Sequence, residues 1–555
     1  MTARVIVIGL DGLEPTLVQR WIDSGDMPAI GRLRERARWG ALRSTLPCAT
    51  FPAWTSLMTG VNPGEHGVFD FARLIKGSYD VAFDGALARR RPTLQRLVSD
   101  AGMRVASIGF PGTWPPEPIN GVVISGFDSP VAVGIDDSFV HPPELAAELR
   151  SRFGRYVFAD FAETHTWLPG WHRRAADKLA RGLERRLALA DHLLGREPWD
   201  LFMVHFGESD TAGHHFWAFH DPASPRRPTS VAADLEGVLR GIYVALDRAV
   251  ARLVERAGEG AAVLLASDHG FGGSSAKVLH LNRWLAEQGH LRFNPRPGLT
   301  QRATALGIKA GMALAPGRLQ ERLWRLARPL AGRAEARRRF GGIDWGGTLA
   351  YSEELSYHPS IRLNVQGREP MGRLAPREVG PFTDRLIEAL EALRDPWSGR
   401  PVVARAWRRE ALYQGAAVDQ APEVVLDLAL DGQYTYNCLS SQGPGPAWRW
   451  LSAGERLGAK GAGMNGTHRR EGFWLLSGEG SAPRRKRAEM VDMAPTVLAA
   501  LGLAAPSWLE GCSQWRLQPD ARPLGDVEAT RAARGGYTPA QQAIVEARLR
   551  KLGYI

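Results

Sequence analysis

Short apolar runs and longer amphipathic stretches alternate along the first half of the chain. The short runs have the length of buried strands, whereas apolar residues in the longer stretches recur at helical spacing. Strand-like runs cover residues 5–10, 105–110, 121–124, 199–206 and 261–266. Helix-like stretches cover residues 14–39, with a break around Pro28, and residues 175–194 and 234–257. This alternation predicts an α/β fold with a mostly parallel central sheet and helices on both faces.

Three carboxylates follow three of the predicted strands. Asp11 comes directly after the first strand, Asp210 follows the run 199–206, and Asp268 follows the run 261–266. In open sheets of this kind, functional sites form beyond the carboxyl ends of the strands. We therefore expect the three carboxylates to share one site.

The chain has 555 residues, enough for one large domain with insertions or for two domains. We assign residues 1–290 and 341–520 to one discontinuous core domain, which contains all three of these carboxylates. Residues 291–340 are expected to form an inserted helical cap. The polar tail, residues 521–555, is expected to contain one short helix over 539–552.

Positive charge is concentrated in the predicted cap. The chain carries a net charge of +11, and residues 301–340 hold ten lysines and arginines against Glu321 and Glu335. No nucleic-acid-binding motif accompanies this charge, so specific nucleic-acid binding is not expected. The leading interpretation is a solvated cap; the alternative is a surface that attracts an anionic substrate or contacts an anionic membrane.

The cysteine content and the apolar runs indicate the compartment. Three cysteines are too few for a disulfide framework and fit a reducing compartment. No stretch approaches the roughly 20 apolar residues that span a bilayer. The first apolar run is too short for a signal peptide and leads directly into Asp11. These features predict a soluble cytoplasmic protein, in which Cys48 is a buried structural cysteine.

Five short motifs carry the candidate chemistry, and their carboxylates and imidazoles suit Zn²⁺ or Mn²⁺. They are Ile8-Gly-Leu-Asp-Gly12, the stretch 50–67 that begins Thr50-Phe-Pro-Ala-Trp54, Asp210-Thr-Ala-Gly-His214, Ser267-Asp-His-Gly270 and Gly466-Thr-His468. With these motifs in this order, the chain resembles the alkaline phosphatase superfamily. The likeness is to its type I phosphodiesterase/nucleotide pyrophosphatase branch, and in particular to the bacterial predicted AlkP-superfamily phosphohydrolases/phosphomutases.

The resemblance implies a role for each motif residue. Thr50 would attack phosphorus and form a covalent phospho-threonine intermediate. Two divalent ions, zinc first and manganese as the alternative, would be bound by two sets of three ligands: Asp11, Asp268 and His269, and Asp210, His214 and His468. Asp210 and His214 have the i,i+4 spacing that places both on one helix face. The alternative for each ligand is a helix cap or a core histidine.

The alternative for Thr50 itself is an ordinary helix N-cap, since a helix is expected to begin near Ala53. Thr55 is the fallback nucleophile, although it should lie further into that helix. The remaining histidines considered are expected to support the ligands or the fold without binding metal: His66, His205, His215, His220 and His280.

The chain departs from two relatives of the superfamily. Sulfatases need Cys or Ser followed by x-Pro-x-Arg, whereas Thr50 and Trp54 occupy those two positions here. Phe71 stands about where nucleotide pyrophosphatases place a phosphate-binding asparagine. This departure argues against a nucleotide pyrophosphatase specificity but leaves the metal ligands in place. The five ordered motifs make phosphodiester hydrolysis the leading prediction, with phosphotransfer (a phosphomutase-like activity) and non-catalytic binding as alternatives. The candidate substrate-anion contacts are Arg362, Asn364 and Arg368.

Overall fold

The structure is a computed structural model that describes residues 3–524, except 84, 127–137, 155–162, 164–165, 167, 295–339, 341, 442, 460–462 and 481–486. Most of the predicted basic cap and the predicted helix of the tail fall on residues 295–339 and 525–555. The predictions for these two segments therefore lie outside the described residues.

Strands are distributed along the whole described chain. Their bounds are β1 (Ala3–Leu10), β2 (Ala37–Arg43), β3 (Ala72–Leu74), β4 (Val81–Phe83), β5 (Val105–Ile108), β6 (Gly121–Ile124), β7 (Val140–His141), β8 (Trp199–Phe206), β9 (Ala262–Ala266), β10 (Gly270–Leu279), β11 (Ala350–Tyr351), β12 (Ser360–Leu363), β13 (Val403–Arg408), β14 (Val424–Leu428), β15 (Leu430–Asp431), β16 (Tyr434–Cys438), β17 (Trp448–Trp450), β18 (Gly466–Arg469), β19 (Glu471–Ser477), β20 (Arg487–Glu489), β21 (Leu503–Ala504) and β22 (Arg522–Pro523).

Helices connect most of the strands of the first half. Their bounds are α1 (Pro15–Asp23), α2 (Pro28–Glu35), α3 (Thr50–Thr59), α4 (Pro63–His66), α5 (Leu94–Asp100), α6 (Leu145–Phe153), α7 (Trp171–Leu194), α8 (Glu208–His220), α9 (Ala233–Glu236), α10 (Val238–Ala257), α11 (Leu281–Glu287), α12 (Val379–Glu391), α13 (Arg409–Leu412) and α14 (Met493–Ala500). Short 3₁₀ turns cover Trp345–Gly347, Pro376–Glu378, Val418–Gln420, Ala453–Glu455 and Met490–Asp492.

A large central sheet has the order β20-β2-β19-β9-β1-β8-β5-β6-β7. Its middle is parallel, because β9, β1, β8, β5 and β6 all run in one direction. The strand β19 runs antiparallel to both of its neighbours, and β7 is antiparallel at one edge. The prediction of a mostly parallel α/β sheet is confirmed.

Both faces of the sheet are covered by helices. On β1, Ile6, Ile8 and Leu10 pack into one apolar core together with residues of α7, α8 and α10. Val5 and Val7, which point the other way, pack into a second core together with residues of α3, α5 and α14. Burial on both faces explains why this strand is a continuous apolar run rather than an alternating one.

The predicted helical stretch 14–39 was wrong at its end. The structure has two short helices there, α1 and α2, followed by the strand β2 from Ala37. Gly25 has a φ of +79° at the end of α1, and Pro28 begins α2. Residues after Glu35 are drawn into the sheet because β2 pairs with β19 and β20. That pairing partner is distant in sequence, so tertiary context overrides the local pattern.

Candidate metal centre

The central sheet brings the first ligands together. Asp11 directly follows β1, Asp210 lies in the first turn of α8 after β8, and Asp268 and His269 follow β9. Because β9, β1 and β8 are adjacent and parallel, their carboxyl ends meet at one edge. The predicted shared position of the three carboxylates is therefore what the structure shows. His214 lies one turn after Asp210 on α8.

His468 reaches the same place from a different sheet. Strand β18 pairs antiparallel with β10, and this register sets His468 opposite Phe271. Helix α8 packs closely on β18: a Cβ added to Gly466 would lie 2.1 Å from the carbonyl oxygen of Gly213. The glycines of the two motifs therefore allow the close approach that brings His468 to His214.

The first group of ligands consists of Asp11, Asp268 and His269, all buried. Nε2 of His269 lies 3.3 Å from Oδ2 of Asp268 and 3.5 Å from Oδ1 of Asp11. One ligand atom from each residue lies within 4.8 Å of the others, which is a separation that one bound cation can bridge.

The second group consists of Asp210, His214 and His468, also buried. Oδ1 of Asp210 lies 3.2 Å from Nε2 of His214 and 3.2 Å from Nε2 of His468. The same oxygen is 3.8 Å from Nε2 of His269 in the first group. The two groups are therefore adjacent, as in a dinuclear site.

The three histidine ligands are oriented in the same way. Nδ1 of His269 is 3.0 Å from the carbonyl oxygen of Gly270, Nδ1 of His214 is 2.9 Å from that of Gly466, and Nδ1 of His468 is 2.8 Å from that of Cys48. A carbonyl only accepts, so each Nδ1 carries the proton and each Nε2 presents a lone pair. Metal-binding histidines are held in this tautomer by such contacts.

The electrostatics of the site also suit a cation. Burial, together with the charges of Asp11 and Asp210, raises the pKa of Asp268 well above its usual value. Burial, together with the neighbouring His468, lowers the pKa of His269 to about 3. Clustered carboxyl groups with only neutral imidazoles beside them resist losing their protons, and a bound cation would supply the positive charge that favours their ionised forms.

Several ligand atoms are buried without a hydrogen-bond partner among the described residues. They include Oδ1 of Asp11, Oδ2 of Asp268 and Nε2 of His269. Orphaned buried polar atoms are costly, and they are expected where an ion completes the coordination. A donor set of carboxylate oxygens and imidazole nitrogens fits Zn²⁺ or Mn²⁺.

Thr50 is the first residue of helix α3, and Ala49 is the N-cap. The helix thus begins three residues before the position expected near Ala53, and the N-cap role considered for Thr50 falls to Ala49. No hydrogen bond of the Thr50 hydroxyl is found within the described part of the chain. Thr55 is also buried, in the second turn of the helix.

Two contacts tie this helix to both ligand groups. Cys48, just before it, accepts the hydrogen bond from His468 Nδ1, and Trp54 donates its indole N–H to Oδ2 of Asp11 at 3.1 Å. Nε2 of His205 lies 2.9 Å from the same oxygen. His205 was expected to support the site without binding metal, whereas the role of Trp54 was missed. The glycine at position 9 is the one sequence feature that relates to Trp54, because a Cβ at Gly9 would lie only 2.8 Å from the Trp54 ring.

Aromatic rings cover the side of the site near His468. The Phe71 ring is 6.4 Å from that of Phe51 and 6.1 Å from that of Tyr357, which is 6.4 Å from the His468 ring. Phe71 therefore contributes an apolar surface where an asparagine would contribute a hydrogen-bond donor. Tyr357 was not singled out by the sequence, because it belongs to no motif.

The weaker substrate-binding predictions fall on residues that already have protein partners. Arg362 pairs with Glu353 at 3.1 Å, and Arg368 pairs with Glu369 and Glu423. The amide of Asn364 donates to three backbone carbonyls, and its oxygen accepts from the Tyr79 hydroxyl. The structure does not bring these three residues into contact with the metal ligands, and their substrate role remains a prediction.

Cys48 is a half-buried thiol beside the site rather than a fully buried one. Burial, helped by the charge of Asp427, raises its pKa to about 12, so it stays protonated near neutral pH. A protonated thiol is a poor nucleophile, which agrees with a non-catalytic role. Its backbone carbonyl, by contrast, orients His468.

Comparison with known proteins places the chain in a family. Residues 5–462 match the family model described as type I phosphodiesterase/nucleotide pyrophosphatase. The chain belongs to this family. None of the curated protein sequences matches it.

Two solved structures illustrate what the chain is similar to. Phosphonoacetate hydrolase from Sinorhizobium meliloti 1021, in complex with phosphonoformate, is 17% identical, with 90% of this chain and 96% of that chain covered and a TM-score of 0.51. Murine ectonucleotide pyrophosphatase/phosphodiesterase 5 is 11% identical, with 91% and 96% covered and a TM-score of 0.43. The family and the first of these structures confirm the alkaline-phosphatase-like α/β fold.

Proposed function

We propose that this protein is a two-metal phosphohydrolase that cleaves phosphodiesters, with Thr50 as its nucleophile. The observation that carries the proposal is the convergence of two buried three-ligand groups, joined by the 3.8 Å approach of Asp210 to His269. The family described above supports the reaction class. Zinc is the proposed metal and manganese the alternative, since both accept this donor set.

Each ligand group has a separate task in this proposal. Asp11, Asp268 and His269 would hold the ion nearer Thr50, and Asp210, His214 and His468 would hold the second. When bound, such ions stabilise alkoxide and hydroxide nucleophiles near neutral pH and neutralise charge on phosphoryl oxygens. The protein itself fixes the ligands through His205, Trp54 and the backbone carbonyls that accept from the histidines.

The reaction would proceed in two displacements. In the first, a bond forms between Thr50 Oγ and phosphorus, the bond to the leaving alkoxide breaks, and the Thr50 proton leaves with solvent. In the second, water attacks phosphorus, the bond to Thr50 Oγ breaks, and the hydroxyl takes back a proton. The position of Thr50 at the N-terminus of α3 favours negative charge on its oxygen.

The phosphoryl oxygens need donors other than an asparagine at position 71. Helix α3 offers the backbone N–H groups of Thr50 and Phe51 at its N-terminal end, because Pro52 has no N–H and Ala53 donates its own to the carbonyl oxygen of Ala49. We therefore propose that these N–H groups, rather than a side-chain amide, bind the phosphoryl group. The apolar ring of Phe71 would lie beside the ester substituent.

The test combines metal analysis with two chromogenic substrates. Purified protein should contain about two divalent ions per chain and hydrolyse bis-p-nitrophenyl phosphate faster than p-nitrophenyl phosphate. Chelation should abolish turnover, and added Zn²⁺ or Mn²⁺ should restore it. Unchanged hydrolysis after the metal has been removed would refute the metal mechanism.

The same assay separates the alternatives. Transfer of the phosphoryl group to added glycerol or ethanolamine, instead of water, would identify a phosphotransferase. Two bound metals without turnover of any phosphate ester would identify a binding protein.

Among the described residues, no helix has the length and apolar character needed to cross a bilayer. We propose that the protein acts in the cytoplasm, because its three cysteines are free thiols, as is usual in a reducing compartment.

A further inference from the structure

A small cavity opens beside His468, on the side of the site where the ester substituent would lie. Its volume is about 180 Å³, below the roughly 300 Å³ of pockets that hold drug-sized ligands. The walls include Cys48 and His468 together with Tyr357, Asp427 and Arg470. The cavity therefore shares a wall with the second ligand group and has room for a compact chemical group.

Arg470 differs from the other arginines of this region because no carboxylate of the described residues lies within ion-pair distance of it, although Asp427 and Glu471 are near enough to act on its charge. Within the described residues, its guanidinium makes no hydrogen bond and no ion pair, and its Nε is buried. Arg469, its neighbour, donates to the carbonyl oxygen of Gln433, and Arg487 pairs with Glu471. A half-buried guanidinium without a partner is costly, unless a ligand supplies the acceptor.

Asp427 lies on the same cavity wall with the opposite charge. It extends from strand β14, and it too has no ion pair or side-chain hydrogen bond in the part of the chain that the structure describes. Although both residues line one small cavity, they are not within ion-pair distance of each other. Two opposite charges that are held apart in this way can each bind a different group of one ligand.

The position of the cavity indicates which part of a substrate would occupy it. His468 belongs to the second ligand group and also lines the cavity, so a substituent of a phosphoryl group held at the proposed metals would extend into the cavity. Tyr357 lies on the same wall and packs near His468 at 6.4 Å. An aromatic surface suits a flat or carbon-rich substituent, and the two charges suit its polar groups.

We propose that this cavity is the leaving-group subsite, and that it selects a small leaving group with an anionic group for Arg470 and a hydroxyl or ammonium group for Asp427. The inference rests on the proposed phosphodiesterase function, and it narrows the substrate class. The proposed subsite would select leaving groups by their charge. This selection is not predicted by the five motifs, because Arg470 lies beyond the last of them.

The test uses matched diesters in which only the charge of the leaving group changes. Methyl 4-carboxyphenyl phosphate carries an anionic leaving group, and methyl 4-(methoxycarbonyl)phenyl phosphate carries a neutral one of similar shape. In Arg470→Gln, KM for the carboxylate substrate should rise about tenfold or more, the loss expected for a charge-assisted hydrogen bond. KM for the neutral ester should change less than about twofold.

Asp427→Asn provides the second arm. It should raise KM for methyl 4-(aminomethyl)phenyl phosphate and leave the neutral ester unchanged. Arg487→Gln is the matched control, since Arg487 is exposed and pairs with Glu471 on the surface. Metal content and thermal unfolding of each variant verify that the fold and the ligand groups are intact.

The outcomes are distinct. An equal effect of Arg470→Gln on both esters, or no effect on either, would overturn the subsite. If the wild-type protein hydrolyses none of the diesters, the proposed function fails instead. In that case, the subsite is tested by binding alone, with methyl 4-carboxyphenyl phosphate titrated into Thr50→Ala and into Thr50→Ala/Arg470→Gln. Weaker binding by the double variant supports the subsite, and equal binding refutes it.

Discussion

Trp54 donates its indole N–H to Oδ2 of Asp11 across 3.1 Å, which links the helix of the proposed nucleophile to a proposed metal ligand. The same oxygen is 2.9 Å from Nε2 of His205, whereas Oδ1 has no hydrogen-bond partner among the described residues. Burial acts to raise the pKa of Asp11, but the hydrogen bond from His205 outweighs it and holds that pKa below its usual value. One oxygen of Asp11 is thus fixed by the protein and the other is available for metal.

Trp54→Phe should test this link, because it keeps a ring against Gly9 and removes only the N–H donor and part of the bicyclic ring. We expect kcat on bis-p-nitrophenyl phosphate to fall about tenfold, with weaker metal binding, as is typical when a partner of a metal ligand is lost. Trp474→Phe is the control, since Trp474 is buried and its Nε1 has no partner among the described residues. Equal losses in both variants would mean that packing, not the hydrogen bond, is responsible.

Thr50→Ala should abolish turnover and leave the metal content near that of the wild-type protein. It removes the attacking oxygen and none of the six ligands. Thr50→Ser should retain measurable activity, and Thr55→Ala serves as the matched control one turn further along α3. Near-native rates in Thr50→Ala would transfer the nucleophilic role to another group, such as a water molecule.

Asp268→Asn should reduce the dependence of thermal stability on bound metal. The wild-type protein should unfold at a lower temperature after chelation, because a ligand that binds only the folded state stabilises it by about 2.7 kcal/mol at a hundredfold excess over Kd. In Asp268→Asn this difference should become smaller, because only the second ligand group keeps all of its residues. The metal-free variant should be at least as stable as the metal-free wild type, since a buried carboxyl whose pKa is raised is destabilising at neutral pH. Calorimetry with and without metal measures both; a metal-dependent shift as large as that of the wild type would contradict the assignment.

Glu354 should make stability depend on pH. It is buried and accepts hydrogen bonds from the backbone N–H groups of Asn282 and Ser441, and burial raises its pKa from 4.5 to about 7. Between these values the folded state holds a proton that the unfolded state has lost. The contribution of this group is therefore full below pH 4.5, falls as the pH rises, and is lost above about pH 7.

Denaturant unfolding of wild type and Glu354→Gln across that pH range measures the effect. The difference in the free energy of unfolding, wild type minus variant, should decrease by on the order of 3 kcal/mol from the acid to the neutral end. A difference that does not change with pH would mean that Glu354 does not titrate in the folded protein.

The sequence predicted the ligand residues that lie close to apolar strands. Asp11, Asp210 and Asp268 could be placed at one sheet edge because parallel strands leave their carboxyl ends together. The i,i+4 spacing placed His214 beside Asp210. Only the family motif brought in His468, since the pairing of β18 with β10 depends on contacts between distant parts of the chain. Local periodicity contains no information about such a partner.

Other features of the site could not be read from the sequence for a similar reason. Tyr357 and Asp427 reach the cavity from the second half of the chain, where short strands and turns replace the regular alternation. In the sequence Arg470 is one more arginine in a basic chain, and what distinguishes it is that its side chain makes no ion pair or hydrogen bond with the described residues. The hydrogen bond from Trp54 to Asp11 likewise depends on how α3 is oriented against the sheet.

The register that sets His468 opposite Phe271 has a consequence for the life of the protein. During synthesis, Thr50 and five of the six proposed ligands leave the ribosome long before β18 does, yet the second proposed group lacks a member until β18 has docked on β10. A nascent or truncated chain that ends before β18 would therefore be unable to attack cellular phosphate esters. The proposed enzyme would therefore remain inactive until nearly the whole core has been synthesised.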